Sequence, residues 1–539
     1  MEPKTLTITE FGGPLTRRNT GDINSGLAKF DTSWGYDPYS KPGNLTWMEQ
    51  PTSILSLAGA NSVLGIMKTR ATGPIGNSGY VYAIANSGGD HLYEIQINSS
   101  VTVNANVDTA SAVGRFGTTP DPVRSVGMVY FGATEKIFFG DNGRIQTINF
   151  DGSSASVIAG SGANLTTGVP RPMITFLGRV YFGNGANIGE IDSTETVITG
   201  AKLSPALPVG VVVKDLDITP DGNYLQITAS KNNPVGFSGN LSEIQGTSTD
   251  SYKFLWNGID EATTYFEDYG GVGLTASTAF GDKNYTMGFD PHGAAIFSNQ
   301  QKIVTLPQVT SPHPTAVFST GNILGFMAPE SVDGEYRGSL FNYGQFDSES
   351  PAGLFRILRH ESTVKTDVKT VNAAINVSNL LYFPSYYTYA NEIAGSGKIY
   401  FTTHEASVDA NADSRSILWR FMTVPTGVGS IVAGTYETQT QLFSKKVEVK
   451  EVRLYTEPLV SGNDFIIDLI GSGGSVIASG SQRFIVGASS VAVGTDMVHW
   501  NPGIAPTYAL GARITNSSVT GVVNWTATKL EIDYLPGGK

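Results

Sequence analysis

The sequence predicts an all-β protein, a β-propeller of about seven blades followed by a β-sandwich, and three observations carry that reading. The chain is rich in turn formers and poor in charge: 63 of its 539 residues are glycine and only 15% are charged, against about 25% in an average soluble domain. Hairpins of one grammar recur along the first four-fifths of the chain. Beyond residue 443 the text changes to long strands of strictly alternating polar and apolar residues.

Length points the same way. A single hydrophobic core stops growing near roughly 250–300 residues, whereas a propeller lengthens by adding blades around a channel. Glycine supplies positive φ and asparagine tolerates it, which suits many tight turns. Long helices want Ala, Leu, Glu and Lys instead.

Residues 1–54 stand outside the repeats. The stretches Pro14-Leu15-Thr16-Arg17-Arg18 and Tyr36-Asp37-Pro38-Tyr39 are turn-rich and aromatic. They are expected to form either a strand that closes the ring or an arm that grips a neighbouring subunit.

Residues 55–443 hold the expected propeller. Its hairpins pair 80–84 with 92–95, 136–139 with 145–148, 179–182 with 188–191, 224–227 with 252–256, 294–297 with 302–304, 339–341 with 354–357, and 398–401 with 417–421. Each has a further strand upstream, such as Val129-Tyr130-Phe131 or Ala316-Val317-Phe318. The spacing fits a four-stranded blade of about 40–50 residues with insertions in loops. The segment Thr219-Pro220-Asp221-Gly222-Asn223-Tyr224-Leu225 reads as a turn, because Pro fixes φ and Gly accepts a conformation other residues resist. It resembles the Ser/Thr-Pro-Asp-Gly-x-x-Leu turn of TolB-like propeller repeats.

Residues 444–539 read as the sandwich. Val447 to Tyr455, Phe465 to Ile470 and Trp525 to Tyr534 alternate polar and apolar side chains, the signature of sheets with one wet face. The first and last of these strands are the longest and most charged, so they are expected at sheet edges.

The formal charge of −12 comes from 35 Lys and Arg against 47 Asp and Glu. Phosphate neutralisation needs basic surface, so nucleic acid is not an expected partner. The absence of cysteine removes disulfides, thiolate nucleophiles and cysteine metal ligands together. No basic region followed by an apolar stretch opens the chain, and no window of about 20 apolar residues would span a bilayer. No membrane insertion is expected.

Catalytic motifs fail on their spacing. Gly395-Ser396-Gly397-Lys398 lacks the P-loop pattern, since Glu392 stands where Gly is needed and Ile399 where Ser or Thr is needed. The histidines His91, His292, His313, His360, His404 and His499 form no zincin pair with Glu and read as bystanders. The chain lacks the Ser-x-Asp-x-Gly-x-Thr-Trp boxes of sialidase-type propellers. Glu261, Glu267 and Asp268 lie in an aromatic-rich insert and read as an exposed loop rather than a glycosidase pair. No catalytic residue and no organic cofactor is expected.

Two sets of residues are singled out for binding. Asp409, Asn411 and Asp413 place oxygen ligands at alternate positions, as a calcium loop does; position twelve is Arg420, so it is not an EF-hand. Tyr265, Tyr386, Tyr387 and Tyr389 would stack on sugar rings or touch a partner.

The whole pattern resembles virion proteins of tailed bacteriophages, in which a short aromatic, Pro/Gly-rich segment leads into a propeller and ends in a sandwich. The resemblance is carried by Ile8-Thr9-Glu10-Phe11-Gly12-Gly13-Pro14-Leu15 and by the run from Lys445 to Leu459. It implies a non-enzymatic tail, nozzle or adsorption-apparatus component, located in the virion and present in multiple copies. Its partners would be copies of itself and other virion proteins, with a host surface glycan as a further ligand. The alternative is a glycan-binding or glycan-cleaving propeller with a carbohydrate-binding sandwich. A bacterial surface adhesin is a third class and would carry a secretion or anchor signal.

Overall fold

The computed structural model describes the strands between residues 2 and 537, with side chains chiefly in 127–303 and 434–537 and in the short stretches 2–11 and 41–47. Among the described residues the fold is all-β: seven four-stranded antiparallel sheets and one ten-stranded assembly.

The seven small sheets are the blades of a propeller. Blades 1 to 6 occupy residues 62–106, 127–157, 173–199, 212–269, 273–305 and 316–360, each a simple meander. Blade 7 takes three strands from 376–422 and its fourth from Thr52–Ala58. The first strand of each blade packs on the first strand of the next. The cycle runs from Ser62–Lys68 through Gly127–Phe131, Met173–Phe176, Val212–Ile218, Gly273–Phe280, Ala316–Thr320 and Asn376–Phe383, then back to Ser62–Lys68. A closed cycle of inner strands around a channel is what makes seven sheets one propeller.

Alternation along the strands builds the contacts between blades. In blade 3, Val180 and Phe182 pack with Phe131, Phe138 and Ile145 of blade 2. Tyr181 between them faces the other way, into a cluster with Leu216, Ile227 and Trp256 of blade 4. The two ends of the ring meet in blade 7, where Thr52–Ala58 lies antiparallel on Arg415–Met422 with Ala58 opposite Arg415 and Ser56 opposite Ile417.

The recurring hairpins are present, at two different places in the blade. In blades 1 to 4 and 7 they form the second and third strands; in blades 5 and 6 they form the third and fourth. The reason is visible in blade 5, whose first two strands read Gly-Leu-Thr-Ala-Ser-Thr-Ala-Phe and Lys-Asn-Tyr-Thr-Met-Gly-Phe-Asp. They carry few apolar residues, so the outer pair stands out in the sequence.

The sandwich has two sheets around one core. One sheet runs Lys4–Ile8 and Leu45–Thr46, then Thr526–Pro536, Gln441–Thr456 and Met497–Trp500. The other runs Phe30–Trp34, Gly434–Thr438, Thr507–Asn516, Asp464–Ile470 and Val476–Ile485. They join where Gln441 pairs with Leu510. Val452, Leu454, Leu530 and Ile532 from the first sheet meet Phe465, Ile467, Ala512 and Ile514 from the second.

Two expectations change here. The long charged strands Gln441–Thr456 and Thr526–Pro536 are not edges; they pair with each other in the interior of their sheet. Their charges are matched within and across the strands instead: Arg453 reaches Glu451 on its own strand at 2.6 Å, and Glu531 and Asp533 on the partner strand at 3.0 and 2.9 Å. The second change concerns residues 1–54. Lys4–Ile8 pairs along Thr526–Pro536, from Lys4 opposite Tyr534 to Ile8 opposite Leu530. Trp47 is fully buried in the sandwich core. The propeller is thus inserted in the sandwich, between Trp47 and Gly434, and the strand after Trp47 closes the ring.

Candidate functional site between blades 4 and 5

Blade 4 has two unlike faces. Toward blade 3 it buries Val213, Leu216, Ile227, Phe254 and Trp256. Its other face is mostly polar, with Leu255 as its apolar exception in the Asp217 row. Strand register sets Asp215 beside Thr228, Lys253 and Glu267 in one row, and Asp217 beside Gln226, Leu255 and Tyr265 in the next. The chain reaches this arrangement by alternation, with Asp215-x-Asp217, Gln226-x-Thr228-x-Ser230, Ser251-x-Lys253 and Glu267-x-Tyr269 on successive strands. A bulge between Val213 and Asp215 sets the phase of the inner strand. The turn that follows it is locked by Gly222 at φ +74° and by the Thr219 hydroxyl donating to Asp221 at 2.5 Å.

The two inner aspartates tie blade 4 to blade 5. The amide of Ser277 donates to Asp215 Oδ2 at 2.7 Å, and the amide of Ala279 donates to Asp217 Oδ2 at 2.6 Å. Their Oδ1 atoms accept from Leu216 and Ile218 at 2.9 and 2.8 Å. The inner strand of a blade has a free edge, and these carboxylates satisfy two of its donors. Burial pushes the Asp215 carboxyl up to about 7, the nearby Asp217 charge adds to the rise, and the amide donors oppose it. Burial likewise raises Asp217 to about 6 against its two amide donors. Lys214 lies between them in sequence, and burial lowers its ammonium to about 7.

Farther out, Lys253 and Glu267 form a buried ion pair at 2.6 Å. The Tyr269 hydroxyl donates to Glu267 at 2.9 Å and accepts from the Gln300 amide of blade 5 at 3.0 Å. Burial moves the Tyr269 phenol above its ordinary range. Glu267 is therefore held by a cation and a phenol, as a structural tie between blades.

The residues expected from sequence fall as follows. Glu267 and Asp268 belong not to a loop but to the outer strand Tyr265–Tyr269 of blade 4, Glu267 buried and Asp268 exposed. The reason is pairing: Lys253 lies opposite Glu267 and Tyr252 opposite Asp268. Glu261 sits in the turn before that strand, its carbonyl accepting from the Ser204 amide at 2.7 Å. Tyr265 is 52% exposed and the adjacent Phe266 60%. Neighbours in a strand point to opposite faces, so these two rings form no common platform; Phe266 leans on Phe254, with ring centroids 6.2 Å apart. Asp409, Asn411 and Asp413, and Tyr386, Tyr387 and Tyr389, lie outside the described residues. His499 is exposed on the sandwich, its Nδ1 3.0 Å from Glu451. Among the described residues no three His, Cys, Asp or Glu side chains gather at a metal position.

The polar face of blade 4 was missed in the sequence. The alternating polar residues were its only signal, and they look the same as a solvent-facing strand.

No protein-family model and no curated protein matches the chain. Among solved structures, the Dos1 propeller is similar at 8% identity and a TM-score of 0.37, covering 67% of this chain and 77% of that one. A nidogen/laminin complex is similar at 12% identity and 0.31, over 47% of this chain and 83% of that one. A glycoside hydrolase is similar at 10% identity and 0.28, over 88% and 99%. These are loose likenesses; strand pairing and the closed cycle of inner strands establish the propeller here.

Proposed function

We propose that the chain is a non-enzymatic structural component of a bacteriophage virion, a tail, nozzle or adsorption-apparatus protein used in multiple copies. One observation supports it most. The ring is closed by Thr52–Ala58, while strands on both sides of the propeller in sequence are knitted into one sandwich. Such a body has no loose ring end and few ways to deform, which suits a building block. The charged groups of blade 4 are already engaged in the fold: Asp215 and Asp217 on backbone amides of blade 5, and Glu267 on Lys253 and Tyr269 within blade 4.

The test is mass spectrometry of gradient-purified particles from a phage that encodes the chain. Peptides of the chain at a stoichiometry of several copies per particle support the reading. Their absence from intact particles overturns it. Incubating the purified chain with host polysaccharides separates the glycan-cleaving class, which would release reducing ends.

A further inference from the structure

We propose that the seam between blades 4 and 5 binds a hard divalent cation of the calcium class, held by the Asp215 and Asp217 carboxylates and completed by the neutral oxygens of Gln226, Thr228, Ser277 and Thr286. The argument starts from polar atoms that have nothing to bond. Gln226 and Thr228 are fully buried, and neither the amide atoms of Gln226 nor the hydroxyl of Thr228 has a hydrogen-bond partner. Asn284 Oδ1 across the seam also lacks a partner, while the Ser277 hydroxyl interacts with Asp215 and the Thr286 hydroxyl with Tyr269. Buried polar groups in a folded protein nearly always have partners, so a concentration of orphans marks a place where a further species sits.

These orphans share one small area. Thr228 lies opposite Asp215 and Gln226 opposite Asp217 in blade 4. Asp215 and Asp217 accept from the amides of Ser277 and Ala279 in blade 5, which lie opposite Thr286 and Asn284. The result is two parallel rows crossing the seam, Thr228–Asp215–Ser277–Thr286 and Gln226–Asp217–Ala279–Asn284. Both carboxylates stand in the middle.

The chemistry of the set selects the ligand. Three of the four orphan atoms, Gln226 Oε1, Thr228 Oγ1 and Asn284 Oδ1, are oxygens, and the Ser277 and Thr286 hydroxyls beside them add further oxygen lone pairs. A carboxylate oxygen that accepts one amide proton keeps a second lone pair. Calcium takes six to eight oxygens from carboxylates, amide carbonyls, hydroxyls and water in flexible geometry. Two carboxylates match its charge, and a cation between them would relieve the repulsion of two like charges in a half-buried seam. Lys253, the cation in the same row, is already paired with Glu267.

The experiment is metal analysis of the full-length chain after equilibration with calcium and dialysis, together with thermal unfolding in calcium and in EDTA. The wild-type chain is expected to retain calcium and to melt higher with it. D215N/D217N should lose both effects, and Asp409→Asn/Asp413→Asn should keep them at the seam. Thr228→Val and Gln226→Leu, which leave the charges in place, should each weaken calcium binding about 10-fold or more; they carry the test if the double aspartate variant does not fold. No retained calcium and no shift in the wild type would mean a seam filled by water alone and would overturn the proposal. So would calcium affinity unchanged in T228V and Q226L, or calcium lost only with D409N/D413N.

Discussion

Trp47 and Trp525 stand with ring centroids 5.7 Å apart, both buried in the sandwich core, although they come from near opposite ends of the sequence. Trp525 lies beside the strand Thr526–Pro536, and Leu45–Thr46 pairs with that same strand just before Trp47. The contact therefore closes a loop that contains the entire propeller. Phe465 packs on Trp525 at 4.5 Å, so the pair is continuous with the opposite sheet.

Removing the earlier ring should unlock the sandwich. Trp47→Ala is expected to destabilise the chain by about 3–5 kcal/mol, the range for large aromatic truncations in a packed core. Urea unfolding followed by tryptophan fluorescence measures it, and a loss below about 1 kcal/mol would place Trp47 outside the core.

The buried Lys253–Glu267 ion pair on the face of blade 4 should behave as buried pairs do. Lys253→Met leaves Glu267 without its cation and is expected to cost about 3–5 kcal/mol. Adding Glu267→Leu should recover most of that loss, because replacing a whole buried pair by apolar residues is often neutral. Chemical denaturation of the single and double variants checks both outcomes.

The inner aspartates make a pH prediction of definite sign. Asp215 and Asp217 have folded-state values raised to about 7 and 6, above the ordinary carboxyl value near 4. Between these limits the folded chain holds protons that the unfolded chain has released. Their contribution to stability is therefore full below about pH 4 and is lost as pH rises through about 6 to 7. In EDTA, the stability difference between the wild type and D215N/D217N should shift in favour of the variant across that interval. A difference that is flat from pH 4 to 7.5 would contradict the raised values.

A glycine in blade 3 should be irreplaceable for a steric reason. Gly189 lies opposite Phe182, and a Cβ at Gly189 would meet the Phe182 ring at 2.0 Å. Gly189→Ala is expected to destabilise by about 1–3 kcal/mol, as overpacking does. Pairing it with Phe182→Leu should return part of the loss in the same denaturation assay.

Much of this architecture was legible in the sequence because it is local. Each hairpin announces itself by apolar alternation around a turn, as Arg179–Asn184 and Asn187–Ile191 do around Gly185 at φ +65°. What was not legible depends on partners far away in the chain. Lys4–Ile8 is an ordinary five-residue alternation, and only the strand Thr526–Pro536 tells it from a tail. The charges of Arg453, Glu531 and Asp533 suggested edges because their cross-strand matching is invisible until the strands are placed. The role of Asp215 and Asp217 was hidden for a similar reason: they bind backbone amides, which carry no sequence signature.

Ring closure is tested most directly by paired cysteines in this cysteine-free chain. Ser56→Cys/Ile417→Cys and Leu55→Cys/Leu418→Cys place the cysteines opposite each other at two adjacent registers of the closing strand, and in an antiparallel pair adjacent registers alternate between the wide and the close spacing, the close one matching disulfide geometry. Mild oxidation of the folded monomer should form an intramolecular bond in one of the two variants, read as a mass loss of two hydrogens and a linked peptide. Free thiols in both, or bonds only between separate molecules, would show that Thr52–Ala58 does not complete blade 7.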